Sequence, residues 1–303
     1  MSQPLVSVVI PSYNCGRFLG ETLDSVFAQT YSAIEIVVVD DGSTDESQDV
    51  LRRYAGRVRV VEQTNQGVSA ARNYGIRESR GELVAFLDAD DLWHPEKLAK
   101  QVPLFENPAV GLVHCAVQYV DEQNRPLGTN FTGRRGRVLR PIALLQGTVV
   151  LAGGSTAVVR RACFDKGGMF DGNLSTAADW DMWRRIACEY EIDVVREPLM
   201  RYRLRPGSMH RNVDVFARDM LRGFASLFAD PAAAEVHHLR RRAYGTLYLM
   251  LSGSYLHAGR WAKSVSYGVR AVLTWPFSAT YVLAMPVRVA QRRLFGDRSE
   301  PVV

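Results

Sequence analysis

The chain has 303 residues, 47% of them hydrophobic and 23% charged, which excludes a largely disordered protein and leaves room for one large domain or two. A net charge of +5 hides an asymmetry: residues 1–120 hold 10 Lys/Arg against 16 Asp/Glu, and the remainder holds 27 against 16, so the balances are −6 and +11. An acidic part suits a divalent cation and a basic part suits phosphate groups or an anionic membrane surface, whereas no aromatic-basic motif of an RNA-binding module is present, so no nucleic-acid partner is expected.

Met1-Ser2-Gln3-Pro4 has no charged leader region and runs directly into a strand, so no signal peptide is expected and the chain is assigned to the cytoplasm. Four cysteines, Cys15, Cys115, Cys163 and Cys188, lie far apart without a Cys-x-x-Cys pair, which speaks against a zinc site and a disulfide framework. Leu5–Ile10 is an apolar strand that Pro11 should stop, and Phe18–Ala28 has helical spacing. Ile34–Val39 is a second strand ending in Asp40-Asp41-Gly42-Ser43-Thr44-Asp45, where Thr44 or Asp45 can cap a helix running to Tyr54. Val58–Val61, Val68–Glu78 and Leu83–Leu87 then read as strand, helix and strand. The β-α-β-α-β-α-β order predicts an α/β fold with a Rossmann-like, mostly parallel, doubly wound sheet.

The fourth strand runs straight into Asp88-Ala89-Asp90-Asp91. In open α/β sheets ligands collect at the carboxyl ends of strands, so Asp40/Asp41 and Asp88/Asp90 should converge on one edge. Asp-x-Asp offers two hard oxygen donors for Mg²⁺ or Mn²⁺ while leaving other coordination positions to water and phosphates. Asp91 can equally cap a helix that begins near Pro95.

Val8-Val9-Ile10-Pro11-Ser12-Tyr13-Asn14, Val39-Asp40-Asp41-Gly42-Ser43-Thr44-Asp45, Asn65-Gln66-Gly67-Val68-Ser69-Ala70-Ala71-Arg72-Asn73 and Leu87-Asp88-Ala89-Asp90-Asp91 together resemble glycosyltransferase family 2. The likeness is dense over residues 5–95, looser to about 211 and absent beyond. It implies the A-type glycosyltransferase fold, a nucleotide-sugar donor, a divalent metal and inversion at the anomeric carbon. It also implies a donor site of Pro11, Tyr13, Asn14, Asp40, Asp41, Gly67, Arg72, Asp88, Ala89 and Asp90, with Asp90 and Asp88 on the metal.

Each residue also has its own chemistry. Tyr13 can lay its ring beside a base or fill a loop. Asp40 can accept the imide N–H of uracil, as the matching aspartate does in similar enzymes, or make an Asx-turn. Arg72, one turn into its helix, can brace the acidic turn or touch donor phosphates. Past Pro95, Val110–Val120 is a strand-like run, Asp121 to Arg140 reads as a mobile loop over the acceptor site or an ordinary solvated one, and Ser155–Val159 and Leu199–Leu204 read as strands.

Ala178-Asp179-Trp180-Asp181 opens a helix where similar enzymes read Glu-Asp-x-Asp, so the resemblance makes Asp179 the general base, with Asp181 as the alternative. One carboxylate base and one ion suffice for inversion, and no second carboxylate nucleophile is identifiable. Many relatives carry a histidine where Arg205 stands; His210 can take its place on the metal or be an ordinary loop histidine, and Arg203, Arg205 and Arg211 can face a diphosphate or solvent.

The expected organisation is a catalytic domain over 1–211, split into a nucleotide-sugar half (1–105) and an acceptor half (106–211), followed by a helical region over 212–303. In the latter, Tyr244–Trp275 resembles one tetratricopeptide-like hairpin. Ala271 to Val287 is uncharged and followed by Arg288, Arg292 and Arg293, the pattern of an interfacial segment or of a helix packed on the domain. The expected function is metal-dependent, inverting transfer from a UDP-sugar to a glycan or lipid-linked saccharide. The alternatives are a non-catalytic nucleotide-sugar-binding or scaffold protein and a sugar nucleotidyltransferase, although Pro11–Gly16 is not the glycine-rich phosphate loop the last requires.

Overall fold

A run of β-branched residues without polar alternation suits a strand covered on both faces, and Val6–Ser12 forms that strand, β1, with all seven residues buried. The structure, a computed structural model, describes residues 3–205 and 212–282. It divides into two compact units, Met1–Val138 with Thr148–Pro206, and Leu139–Gly147 with Gly207–Val303. After β1 come α1 (Gly16–Phe27), β2 (Ile34–Asp40), α2 (Ser47–Arg53), β3 (Arg59–Glu62), α3 (Val68–Glu78) and β4 (Leu83–Phe86). Next are β5 (Leu92–Trp93), α4 (Lys97–Gln101), β6 (Val110–Val120), β7 (Pro126–Asn130), α5 (Leu139–Ala143), β8 (Val158–Arg160), α6 (Ala162–Gly167), α7 (Ala178–Glu189) and β9 (Glu191–Arg203). The second unit contains α5, α8 (Val213–Leu227), α9 (Ala234–His237), α10 (Arg240–His257) and α11 (Trp261–Thr274).

The strands of the first unit form one sheet in the order β3-β2-β1-β4-β8-β6-β9-β5, with β7 on β6. β1 pairs in parallel with β2 and β4, and β2 with β3. β8 is antiparallel to both β4 and β6, β6 is parallel to β9, and β5 and β7 are antiparallel to their neighbours. Thus β1, β2, β3, β4, β6 and β9 all point one way, and the sheet is mostly parallel as the element order requires. Its two faces are covered by different helices. Leu19, Leu23 and Val26 of α1 share a core with Val6, Val8 and Ile10, whereas Ala71 of α3 packs with Val37 and Val39. Side chains alternate along a strand, so these are opposite faces and the winding is double. α3 approaches so closely that a Cβ on Gly75 would lie 2.3 Å from Val9 Cγ1, which makes glycine there a packing requirement.

Several local expectations need correction. Pro11 lies inside β1 rather than ending it: the ladder to β4 stops at Val9, while Pro11 still pairs with Val39 of β2. Proline is tolerated there because that stretch has a ladder on one side only. Ser155 and Thr156 belong to the turn before β8, not to the strand. β9 begins at Glu191, eight residues before the expected start, and follows β6 through irregular register that brings Pro198 opposite Ala116. The segment from Asp121 is no simple loop, because β7 folds back on β6 as a hairpin. Asp91 does not cap α4, which starts after Glu96; it is buried in the acidic turn.

In the second unit α8 is capped by Asn212, whose side chain accepts from the N–H groups of Asp214 and Val215. α10 and α11 are joined by reciprocal bonds in which Ser252 Oγ donates to Ser264 O at 2.7 Å and Ser264 Oγ to Ser252 O at 2.9 Å. Among the described residues no helix is long and apolar enough to cross a membrane. Leu283, Arg288, Arg292 and Arg293 lie outside the described residues.

Candidate active site

Because β1, β2 and β4 are parallel neighbours, the segments that follow them emerge at one edge of the sheet. The first two are stitched together. Asn14, at φ 50°, donates its N–H to Ser43 Oγ at 3.0 Å and accepts from Thr44 N–H at 2.8 Å. Asp45 accepts from Gly16 N–H at 2.9 Å and Ser47 N–H at 3.0 Å, tying the starts of α1 and α2. Asp40 is buried at the end of β2 and accepts from Ser43 N–H and the Gln48 amide. Asp41 is occupied by the chain itself, accepting from Gln66 N–H and Gly67 N–H, both at 2.8 Å, and from the Gln63 amide at 2.7 Å. Gly67 has φ +88°, a conformation that holds its N–H on Asp41 just before α3 begins and that glycine adopts without strain. Tyr13 stands 48% exposed at the same edge, its ring accessible for stacking.

The third segment is the acidic turn after β4, fastened on three sides. Thr22 of α1 donates to the carbonyls of Ala89 and Asp91 at 3.0 and 2.9 Å. Ser155 accepts from Asp88 N–H at 3.0 Å and donates to Asp91 Oδ2 at 2.6 Å. Arg203, at the end of β9, donates its N–H to Asp91 Oδ1 at 3.0 Å and its Nε to Asp90 O at 2.9 Å, and also pairs with Glu21. Asp91 is therefore the internal post of the turn: burial, reinforced by the charges of Asp90 and Asp88, holds its carboxyl well above the usual range. Thr22, Ser155 and Arg203 are the residues sequence reasoning missed as supports. Only the small polar turn Gly153-Gly154-Ser155-Thr156 carried any local signal.

Asp88 and Asp90 are left as the chemically available acids, each with an arginine. Arg72, almost completely buried, donates to Asp88 Oδ1 at 2.8 Å and to Asp179 Oδ1 at 2.5 Å. Burial lowers its proton affinity, but Asp179 and Asp88 outweigh that and raise it, so it stays charged. This is the bracing geometry for Arg72, and it joins the acidic turn to the first turn of α7. Arg205 lies 2.6 Å from Asp90 Oδ2. Burial is the main reason the Asp90 carboxyl is raised; Arg205 pulls it back and Asp88 pushes it further up.

The two candidate bases differ sharply in surroundings. Asp179 has a side chain 24% exposed, with one oxygen on Arg72. Asp181 is buried and spends Oδ1 on Arg184 at 3.0 Å and Oδ2 on Arg185 at 2.9 Å, both on its own helix. Arg203 is likewise consumed by structural contacts. His210 and Arg211 lie outside the described residues.

Asp88 and Asp90 fit a divalent cation as far as donor chemistry goes: both are hard oxygen donors, two residues apart, with mutual repulsion that a cation would relieve. Among the described residues no set of three or more His, Cys, Asp and Glu is gathered to hold a metal unaided. Water, and a diphosphate when bound, would complete the shell, the usual manner of Mg²⁺ and Mn²⁺.

A parallel, doubly wound sheet whose carboxyl edge carries these acids, continued by a mixed second half, defines a glycosyltransferase of the A-type fold. The chain belongs to glycosyl transferase family 2, whose model matches residues 7–168. Among curated proteins it is 34% identical over 184 residues to an uncharacterized glycosyltransferase of Rickettsia typhi, covering 59% of this chain and 58% of the relative. It is 31% identical over 205 residues to one of Rickettsia prowazekii, covering 66% and 64%. The matched part thus spans less than two thirds of those relatives. Among solved structures, the mannosyltransferase of Pyrobaculum calidifontis in complex with GDP-Man and Mn²⁺ superposes with a TM-score of 0.60 at 24% identity, over 98% of this chain and 89% of that one. S. aureus TarS 1–349 in complex with UDP-GlcNAc gives 0.63 at 18%, over 89% and 91%. These likenesses establish the fold.

Proposed function

We propose that the chain transfers a sugar, with inversion, from a nucleotide-sugar, a UDP-sugar, to a hydroxyl of a glycan or lipid-linked saccharide, using Mn²⁺ or Mg²⁺. The observation that carries this reading is Arg72 joining Asp88 to Asp179, which sets a partly exposed carboxylate beside the turn suited to the diphosphate. Tyr13 supplies a face for the base and Asp40 a buried acceptor at the strand end. Asp88 and Asp90 would hold the metal, which when bound neutralises charge on the departing diphosphate. Asp179 takes the proton of the acceptor hydroxyl as the new bond forms, and a base acting directly on the acceptor gives inversion in one displacement. Arg72 fixes the orientation of that base.

The test is release of nucleoside diphosphate from a panel of nucleotide-sugars with Mn²⁺ present. Release from a UDP-sugar, stimulated by a saccharide acceptor, is expected. Donor binding without release under any acceptor would instead support the non-catalytic reading, for which Ala178 in place of the family's glutamate is the supporting feature.

Arg205 gives a sharper test of the metal assignment. Its guanidinium pairs with Asp90 Oδ2, so an ion using that oxygen competes with it. Arg205→Ala should tighten binding of Mn²⁺ alone roughly tenfold, equivalent to about 1.4 kcal/mol, as read by calorimetry without nucleotide. Unchanged or weaker Mn²⁺ binding would remove Asp90 from the metal site.

A further inference from the structure

α11 is amphipathic in the reverse sense. Its buried residues are small, Ser264, Gly268 and Ala271, while its large apolar side chains face out: Trp261, Val265, Val269 and Leu273 are 61%, 62%, 53% and 75% exposed. Phe277 and Tyr281, after the helix end at Thr274, are also exposed, at 74% and 53%. The recurring step of four keeps neighbours on adjoining parts of a helix surface. A helix of a water-surrounded domain turns such a stripe inward, and a contiguous exposed one marks a contact surface. Trp275 is not part of it, since its Cβ lies over Gly245 of α10.

Charge identifies the occupant. From Val236 to Val282, the end of the described residues, the sequence has six Lys/Arg (Arg240, Arg241, Arg242, Arg260, Lys263 and Arg270) and no Asp or Glu. Asp214 of α8 takes Arg260 and Lys263, while Arg270 lies over the Tyr267 ring on α11 itself. A second copy would set two surfaces of the same sign against each other. An anionic bilayer complements both features, taking apolar side chains at the boundary of headgroups and acyl chains and cations at the headgroups.

We propose that the outer face of α11, extended through Phe277 and Tyr281, docks the chain on an anionic phospholipid surface. The contact is interfacial and reversible, and it weakens with salt. It is independent of the transfer reading, because vesicle binding needs no donor. The experiment is co-sedimentation of the full chain with phosphatidylcholine vesicles, with and without phosphatidylglycerol, at low and high salt. It is repeated with the double substitutions Leu273→Ser/Phe277→Ser and Val265→Ser/Val269→Ser, whose positions are solvent-exposed. The expected result is pelleting with the anionic vesicles at low salt, loss of most of it at high salt, and roughly tenfold weaker binding for either double variant, with circular dichroism and donor binding unchanged. The proposal is overturned if the chain ignores anionic vesicles at low salt, if neither double variant weakens binding, or if the variants instead dissolve a dimer of the chain while vesicle binding persists.

Discussion

Asp179→Asn should bind donor and Mn²⁺ as the unaltered chain does and turn over roughly 10²–10⁴-fold more slowly, the range a positioned general base supplies. The variant is informative because the amide keeps the shape of the side chain. Asparagine Oδ1 still accepts from Arg72, which retains Asp88 as its charged partner, so the brace persists while the proposed proton acceptor is gone. A residue acting only on the acceptor lowers kcat without weakening donor binding. Asp181→Asn provides the contrast: it should lose stability, because Arg184 and Arg185 would lose the charge of the carboxylate they share, with turnover by the folded fraction largely kept. An inactive Asp181→Asn beside an active Asp179→Asn would transfer the base to Asp181.

The second large effect belongs to Asp90→Asn. Coordination by an amide oxygen is weaker than by a carboxylate, and in the proposed site the diphosphate would depend on the ion for part of its own charge compensation. UDP affinity in the presence of Mn²⁺ should therefore fall roughly tenfold or more, while UDP affinity measured without Mn²⁺ should hardly change. The fold should survive, because the post of the turn is Asp91, which Ser155 and Arg203 hold independently of Asp90's side chain. Equal UDP affinity of variant and unaltered chain in Mn²⁺ would show that the acidic turn binds no metal.

The parallel half of the fold was legible because its signals are local. The apolar runs at Leu5, Ile34 and Leu83 each terminate in turn residues, and β6 spans Val110–Val120 as its largely apolar, strand-like run predicts. β9 was only half visible, since Glu191, Asp193, Arg196 and Glu197 give its first part a polar reading and Pro198 suggests a break. That segment is strand because β6 offers it a parallel ladder, a tertiary cause that local propensity does not encode. The candidate site divides in the same way. Acids at strand ends are visible in sequence, but their partners are not: Arg72 meets Asp179 across 107 positions, and Arg203 meets Asp91 across 112. Contacts between distant segments leave no periodic trace. Three closely spaced acidic positions, Asp88, Asp90 and Asp91, look interchangeable along the chain, yet burial and the Ser155 bond make Asp91 an internal support while Asp88 and Asp90 each meet an arginine.

The account stands most directly on one paired measurement, in which the unaltered chain and Asp179→Asn are titrated with the same nucleotide-sugar and Mn²⁺, with binding followed by calorimetry and nucleoside diphosphate release followed in the same samples. The account predicts equal binding by both proteins, and release by the unaltered chain alone. Equal release by the variant, or no binding of any nucleotide-sugar by the unaltered chain, would contradict it.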